Sequence, residues 1–223
     1  MLVAPIDDST LALRAVALAP GDSSTLAEPD LDMLLYVAAG TGFLTLDGNE
    51  HALEPGSAGL VLADEAATIT SDDGIELVVA TVGPDADRHA PLGPREVAVS
   101  LDDAEAATAA GARAFQILFG PHNGSTRATL FAGFVPPGRA PWHYHLYDEI
   151  VWIADGPGRL HLDDTTRELE AGSAFRLRPR QVHIVENSSG DRELTLIGIF
   201  TPAGSPSAAY LTPDVAAEYR FAG

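Results

Sequence analysis

Cysteine is absent from the 223 residues, and so is lysine. The first absence excludes disulfides, thiolate nucleophiles, iron–sulfur clusters and thiolate zinc sites. The second excludes Schiff-base and P-loop lysine chemistry, since all 13 basic residues are arginine. Against 32 acidic residues the formal net charge is −19. A surface so negative repels phosphate backbones, so no nucleic-acid partner is expected. Long apolar runs are missing too. No stretch approaches the ~18 residues of a spanning helix, and the opening MLVAPIDDSTLALRAV has neither a basic n-region nor a long apolar h-region. The expectation is a soluble, cytoplasmic protein without a membrane partner. Apolar residues at 46% and charged residues at 20% provide for a packed core rather than disorder.

What is present is unevenly distributed. Residues 1–111 carry 3 Arg and 20 Asp/Glu, and residues 112–223 carry 10 Arg and 12 Asp/Glu. Such asymmetry suits two units with different tasks, or one half with a more solvated surface. A repeat supports two units. Residues 32–74 align with residues 148–190 at a constant shift of 116, with 13 of 43 positions identical and no gap. The identities include Gly40/Gly156, Gly42/Gly158, Leu53/Leu169, Gly56/Gly172 and Gly74/Gly190. Turn glycines and spaced aliphatics set backbone course and core, so the two copies share a fold.

Within each copy the local signals are β. LLYVAAG and IVWIADG are β-rich runs that stop at glycine, and GFLTLDG and GRLHLDD alternate in period two. Short strands punctuated by turn residues predict an all-β sandwich or barrel with minor helices. The predicted units are an N-terminal domain over 1–98, a linker helix over 99–112 and a C-terminal domain over 113–223. Ser100 would cap LDDAEAATAAGA, and Thr212-Pro213-Asp214 would start a terminal helix.

One constellation carries chemistry. His143 and His145 are two apart, so on a strand both rings point to one face. Glu149 follows four residues later and can return to the same point from a bend. His183, on a neighbouring strand, could close the set. Three neutral imidazoles and a carboxylate suit a divalent cation with one or two open positions. The first copy is an internal control. At the shift of 116 these four fall on Ala27, Pro29, Met33 and Ala67, so the donors vanish as a set while the glycine framework stays. Because ligating imidazoles must be neutral, metal loss is expected below about pH 6.

The second copy resembles a cupin domain. The family's first motif, G-x5-H-x-H-x3,4-E-x6-G, is matched by Gly138, His143, His145, Glu149 and Gly156, with one residue fewer between Gly138 and His143. The second, G-x5-P-x-G-x2-H-x3-N, is matched by Gly172, His183 and Asn187, with Pro179 one residue past the expected proline and Arg180 at the middle glycine. The chain as a whole resembles a bicupin, similar to quercetin dioxygenases, whose metal motif is kept only in the C-terminal half. The resemblance implies two tandem jelly-roll β-barrels. It also implies one divalent transition metal on His143, His145, Glu149 and His183: iron, manganese or nickel, with zinc or copper as further candidates. Dioxygenases, isomerases, decarboxylases, lyases, storage proteins and sugar binders all occur in such a family, and fold alone does not choose among them.

Further candidates surround the motif. Glu149 is either a fixed ligand or a base that swings off the metal. His161 is a surface strand residue, or an acid/base if its strand face looks into the barrel mouth. Arg176 and Arg178 are partners of surface acids, or a clamp for an anionic substrate. Trp142 and Tyr144 are packing residues, or walls of an apolar substrate pocket. A dioxygenase-type oxidoreductase on a small organic substrate leads this reading. A non-redox isomerase, lyase or decarboxylase on a small acid and a non-catalytic binding module are the alternatives. A homodimer stays open.

Overall fold

Both halves of the chain fold as strands around a closed interior, and the alternation of side chains decides which face each strand buries. The computed structural model describes residues 5–108 and 113–212. The strands of the first half are β1 Leu11–Leu18, β2 Ser23–Leu26, β3 Asp32–Gly40, β4 Gly42–Leu46, β5 Asn49–Leu53, β6 Ser57–Val61, β7 Ala67–Thr70, β8 Ile75–Val82 and β9 Ala98–Ser100. Those of the second are β10 Ala106–Thr108, β11 Ala114–Phe119, β12 Thr129–Val135, β13 Gly138–Arg139, β14 His143–His145, β15 Asp148–Asp155, β16 Gly158–Leu162, β17 Thr165–Leu169, β18 Ala174–Leu177, β19 His183–Asn187, β20 Leu194–Thr201 and β21 Ala209–Leu211. They build two tandem jelly-roll barrels, each of two antiparallel sheets. The first pairs β1-β8-β3-β6-β9 with β2-β7-β4-β5. The second pairs β10-β11-β12-β20-β15-β18 with β17-β16-β19-β14-β21, and β13 joins β19.

The repeat in the sequence is a repeat of backbone. β3 through β8 recur as β15 through β20 at or near the shift of 116. Gly40 and Gly156 share positive φ (76° and 104°), as do Gly56 and Gly172 (92° and 90°). Arg180, which stands at a motif glycine, keeps the left-handed conformation at φ 65°, and its counterpart Asp64 has φ 68°. The turn therefore survives the loss of glycine, held in part by the Arg180 N–H donating to the His145 carbonyl at 2.7 Å.

Burial explains why the two kinds of strand read differently. β4 alternates, with Gly42, Leu44 and Leu46 inside, because its other face meets water. β3 and β15 are buried almost throughout. One face of each fills its own barrel; the other packs against the sister barrel. Three cores result. The first barrel encloses Met33, Leu35, Leu44, Ala67 and Ile69. The second encloses Phe131, Tyr147, Val151, Leu177 and Phe200. Between them, Leu11, Leu13, Leu34 and Tyr36 meet Phe119, Leu130, Ile150, Trp152, Ile197 and Ile199. Tyr36 and Trp152 are repeat equivalents, and their rings face each other at 6.3 Å. The two barrels thus present matching faces, as the subunits of a two-fold dimer would. Arg127 crosses the same seam, donating to Asp32 Oδ1 at 3.2 Å and to the Asp30 carbonyl at 2.9 Å.

The linker helix expected over 99–112 is corrected. Ser100 does cap a turn, accepting from the Asp102 N–H at 3.3 Å. That turn is a single 3-10 turn, Leu101–Asp103, and the chain then extends into β10. Two competitors outweigh the helix propensity of the alanines. β10 gains ladder bonds to β11, and the Gln116 side-chain amide donates to the carbonyls of Leu101 and Ala104 at 3.0 and 2.6 Å. Residues 109–112 of that segment, and the expected terminal helix after Thr212, lie outside the described residues.

Candidate metal centre

The three histidines converge inside the second barrel. β14 supplies His143 and His145 on one face, and pairing of His143 with His183 sets the first residue of β19 directly beside them. Ring centroids are 4.4 Å apart for His143 and His183, 5.2 Å for His143 and His145, and 4.7 Å for His145 and His183. One nitrogen from each ring lies within 4.8 Å of those of the other two. β15 brings the fourth residue: Glu149 Oε2 is 3.1 Å from His145 Nδ1. Two donors each about 2.1 Å from one cation and at a right angle stand about 3 Å apart, so this spacing fits neighbours in one coordination shell. All four side chains are buried.

The surroundings fix orientation and charge. His143 Nδ1 lies 2.8 Å from the Pro141 carbonyl and His183 Nδ1 lies 2.9 Å from the Gln181 carbonyl. A carbonyl only accepts, so each Nδ1 donates and each Nε2 lone pair is left for a ligand. The ring of His145 stacks on Tyr147 at 4.5 Å, and Tyr147 stacks on Phe200 at 4.0 Å. Gly198 makes room for the carboxylate: a Cβ there would stand 2.2 Å from the Phe131 ring and 3.0 Å from Glu149 Oε1. Burial, reinforced by neighbouring positive charge, pushes His143 down to about 2 and His183 down to about 4. These two rings are held neutral, as ligation requires. Proton competition at these two rings starts well below pH 6.

A cavity of about 280 Å³ opens onto the histidines and Glu149. Its walls are mainly apolar, among them Phe115, Phe131, Phe134, Val135, Val151 and Leu196. Pro206, Ser207, Ala209 and Leu211 close one side, because β21 pairs along β14. The donor set, the neutrality of His143 and His183, and this access fit a divalent cation with room for a further ligand.

Five sequence-predicted residues are not in this cavity, and alternation gives the reason for each. Trp142 and Tyr144 alternate with the ligating histidines, so they face outward. Trp142 meets His161 edge-on at 6.5 Å and Tyr144 stacks on Tyr210 at 5.5 Å. His161 pairs with Ile184 while Leu162 pairs with His183, which turns the His161 ring to the outer face. There its Nε2 lies 2.6 Å from Glu186 and its Nδ1 lies 3.0 Å from the Thr166 hydroxyl. Arg176 pairs with Ile150, while Leu177 pairs with Glu149. The guanidinium thus points at the first barrel, donating to Asp148 at 2.8 and 2.5 Å and to the Leu11 carbonyl at 3.1 Å. Arg178 joins the same acids, Asp148 and Asp8. These arginines tie barrel to barrel.

One residue of the cavity escaped the sequence reading. Arg113 lines it, is largely buried, and lies within electrostatic reach of Glu149 and Tyr147. The signal was the alternation of AFQILF, which places 113, 115 and 117 on one face. The expected helix ending at 112 hid it, and β10 and β11 lie outside the aligned repeat.

Residues 131–200 match the family model of the cupin domain. No curated protein matches the chain by sequence. Among solved structures, the chain is similar to the oxalate decarboxylase formate complex of Lactobacillus farciminis (14% identity, 95% of this chain and 82% of that chain, TM-score 0.75). It is also similar to AerE from Microcystis aeruginosa (13%, 88% and 90%, 0.72). A third is a Bacillus subtilis oxalate decarboxylase whose structure addresses its Mn(II) centres (15%, 94% and 75%, 0.73). The stretch that matches the cupin domain model thus lies within the barrel that holds the histidines, and the chain as a whole shares its fold with these structures.

Proposed function

We propose that this chain is a metal-dependent bicupin enzyme of the dioxygenase type, acting on a small organic substrate at the second barrel only. The observation that carries this reading is the buried cluster of His143, His145 and His183 with Glu149 at the base of an apolar cavity. A bound divalent metal would supply Lewis acidity at a substrate oxygen and, where redox-active, a partner for O2. The protein's part is holding and exclusion. His143, His145, His183 and Glu149 offer the donors, while the carbonyls of Pro141 and Gln181 fix two ring tautomers. The phenylalanine walls keep bulk water from the reacting atoms. The first barrel has Met33 and Ala67 where the second has Glu149 and His183, both fully buried in its core, so its role is packing. Iron and manganese are the metals to load first.

The second reading is a non-redox decarboxylase, lyase or isomerase on a small acid, and Arg113 in the cavity is what favours it. Protein purified without chelator, assayed for metal and then loaded with Fe(II) or Mn(II), separates the two. Oxygen uptake that depends on both metal and an added small organic substrate supports the dioxygenase. Turnover undiminished under anaerobic conditions overturns it in favour of the second reading. Absence of stoichiometric metal, with no metal uptake on loading, overturns both.

A further inference from the structure

We propose that Arg113 is the recognition group of the second barrel's cavity and that its ligands are small organic acids: one carboxylate on an otherwise apolar body. The inference deepens the metal-dependent reading above and rests on it for the charge argument only.

Three observations converge. The first is placement. β11 puts Phe115 into the barrel interior, and Ile117 packs against the same core. Two residues earlier on the same face, Arg113 enters the cavity that also exposes His143, His145, His183 and Glu149. Phe115 pairs with Gly133, and the ladder of β11 with β12 leads Arg113 toward Val135, another lining residue. The second is contrast. Around the cavity three imidazoles and one carboxylate are set among phenylalanine, valine and leucine, and Arg113 is the one arginine among the described lining residues.

The third is charge. Glu149 and Tyr147 interact electrostatically with Arg113, and so do His143 and His183. Without a metal, the Glu149 carboxylate offsets the guanidinium. Once a divalent cation engages Glu149, three neutral imidazoles and one carboxylate face two positive centres, and the buried cavity carries a net charge of +2. An apolar cavity of that charge takes up an anion far better than a neutral isostere. A guanidinium binds a planar carboxylate through paired N–H donors. The apolar walls then select an organic acid over an inorganic anion.

The test uses benzoate and hexanoate with their uncharged amides, titrated by calorimetry into the full-length Mn(II)-loaded protein and into R113M and R113K. Metal content per chain is measured on every sample. The expected result is that the acids bind roughly tenfold to a hundredfold more tightly than the amides. R113M should lose most of that preference while keeping its metal, and R113K should keep more of it than R113M. Equal affinity for acid and amide in the wild-type protein overturns the proposal without needing a variant. Preference for the acid that is undiminished in metal-replete R113M overturns it as well, since the metal alone would then hold the carboxylate. If the wild-type protein takes up no metal and still prefers acids in an Arg113-dependent way, the metal-dependent reading fails and this one stands.

Discussion

Acid should weaken the metal-free fold through the two histidines that burial holds neutral. In the unfolded chain a histidine takes up its proton near pH 6.5. In the folded protein His183 resists to about 4 and His143 to about 2. Between those limits the unfolded state binds protons that the folded state does not, so stability rises with pH. It is fully present above the unfolded value and is lost as pH falls: from 6.5 to about 4 for His183, and on to about 2 for His143. Each ring contributes about 1.4 kcal/mol per pH unit once the unfolded chain is protonated. Two rings over two units give about 3–5 kcal/mol between pH 6.5 and 4.5. That is a large share of the 5–15 kcal/mol typical of a folded domain. The Asp8 carboxyl, held down to about 2 by the Thr10 N–H and nearby arginines, loses its contribution only below about pH 4, outside this window. Urea midpoints of metal-free protein at about pH 7, 6 and 5 should fall steadily, and the fall should be shallower in an H143Q/H183Q double variant. Midpoints that stay level across the range, or an equal slope in the double variant, would refute the reasoning.

Gly198→Ala should drive the Phe131 ring and the Glu149 carboxylate apart, because the new methyl would stand 2.2 Å from one and 3.0 Å from the other. The expected cost is about 1–3 kcal/mol in chemical denaturation together with lower metal occupancy by elemental analysis. Arg127→Met leaves the buried Asp32 carboxylate accepting from the Ala63 N–H without its guanidinium partner, and a loss of about 3–5 kcal/mol is expected by urea titration, largely restored by adding Asp32→Leu. His161→Ala removes a pairing on the outer face, so metal content should be unchanged and stability should fall by about 1 kcal/mol or less.

How much of this was legible in the residues depends on which interaction decides each feature. The convergence of His143, His145 and Glu149 was readable because the strand period and the spacing of these residues act locally. His183 was readable because the repeat supplies its register. The barrels were readable from turn glycines that recur at one shift. The cavity walls were not, because facing direction depends on pairing between distant strands. Pairing of Leu162 with His183 is what sends His161 outward, and nothing near residue 161 encodes it. Arg176 misled for a related reason. An alternating arginine suggests either water or a ligand, whereas this one meets the other barrel's Asp8 and Leu11. The alanines after Ser100 carried a real cap but no helix, since the partner strand that captures them lies further along the chain.

The two barrels are coupled through single strands rather than merely joined. β15 has no idle face: Glu149 and Val151 look into the cavity, while Ile150 and Trp152 look into the seam with the first barrel. β20 is built likewise. Gly198 makes room for Phe131 and the carboxylate, and its neighbours Ile197 and Ile199 pack in the seam. A slip of one residue in either strand would carry seam side chains into the cavity and Glu149 out of it. The apolar seam therefore fixes the register on which the metal donors depend. A first barrel without donors still has a function to serve, which is to hold the outer faces of β15 and β20. The Met33 and Ala67 that replace Glu149 and His183 close its own interior, and a closed, rigid partner is what that seam requires.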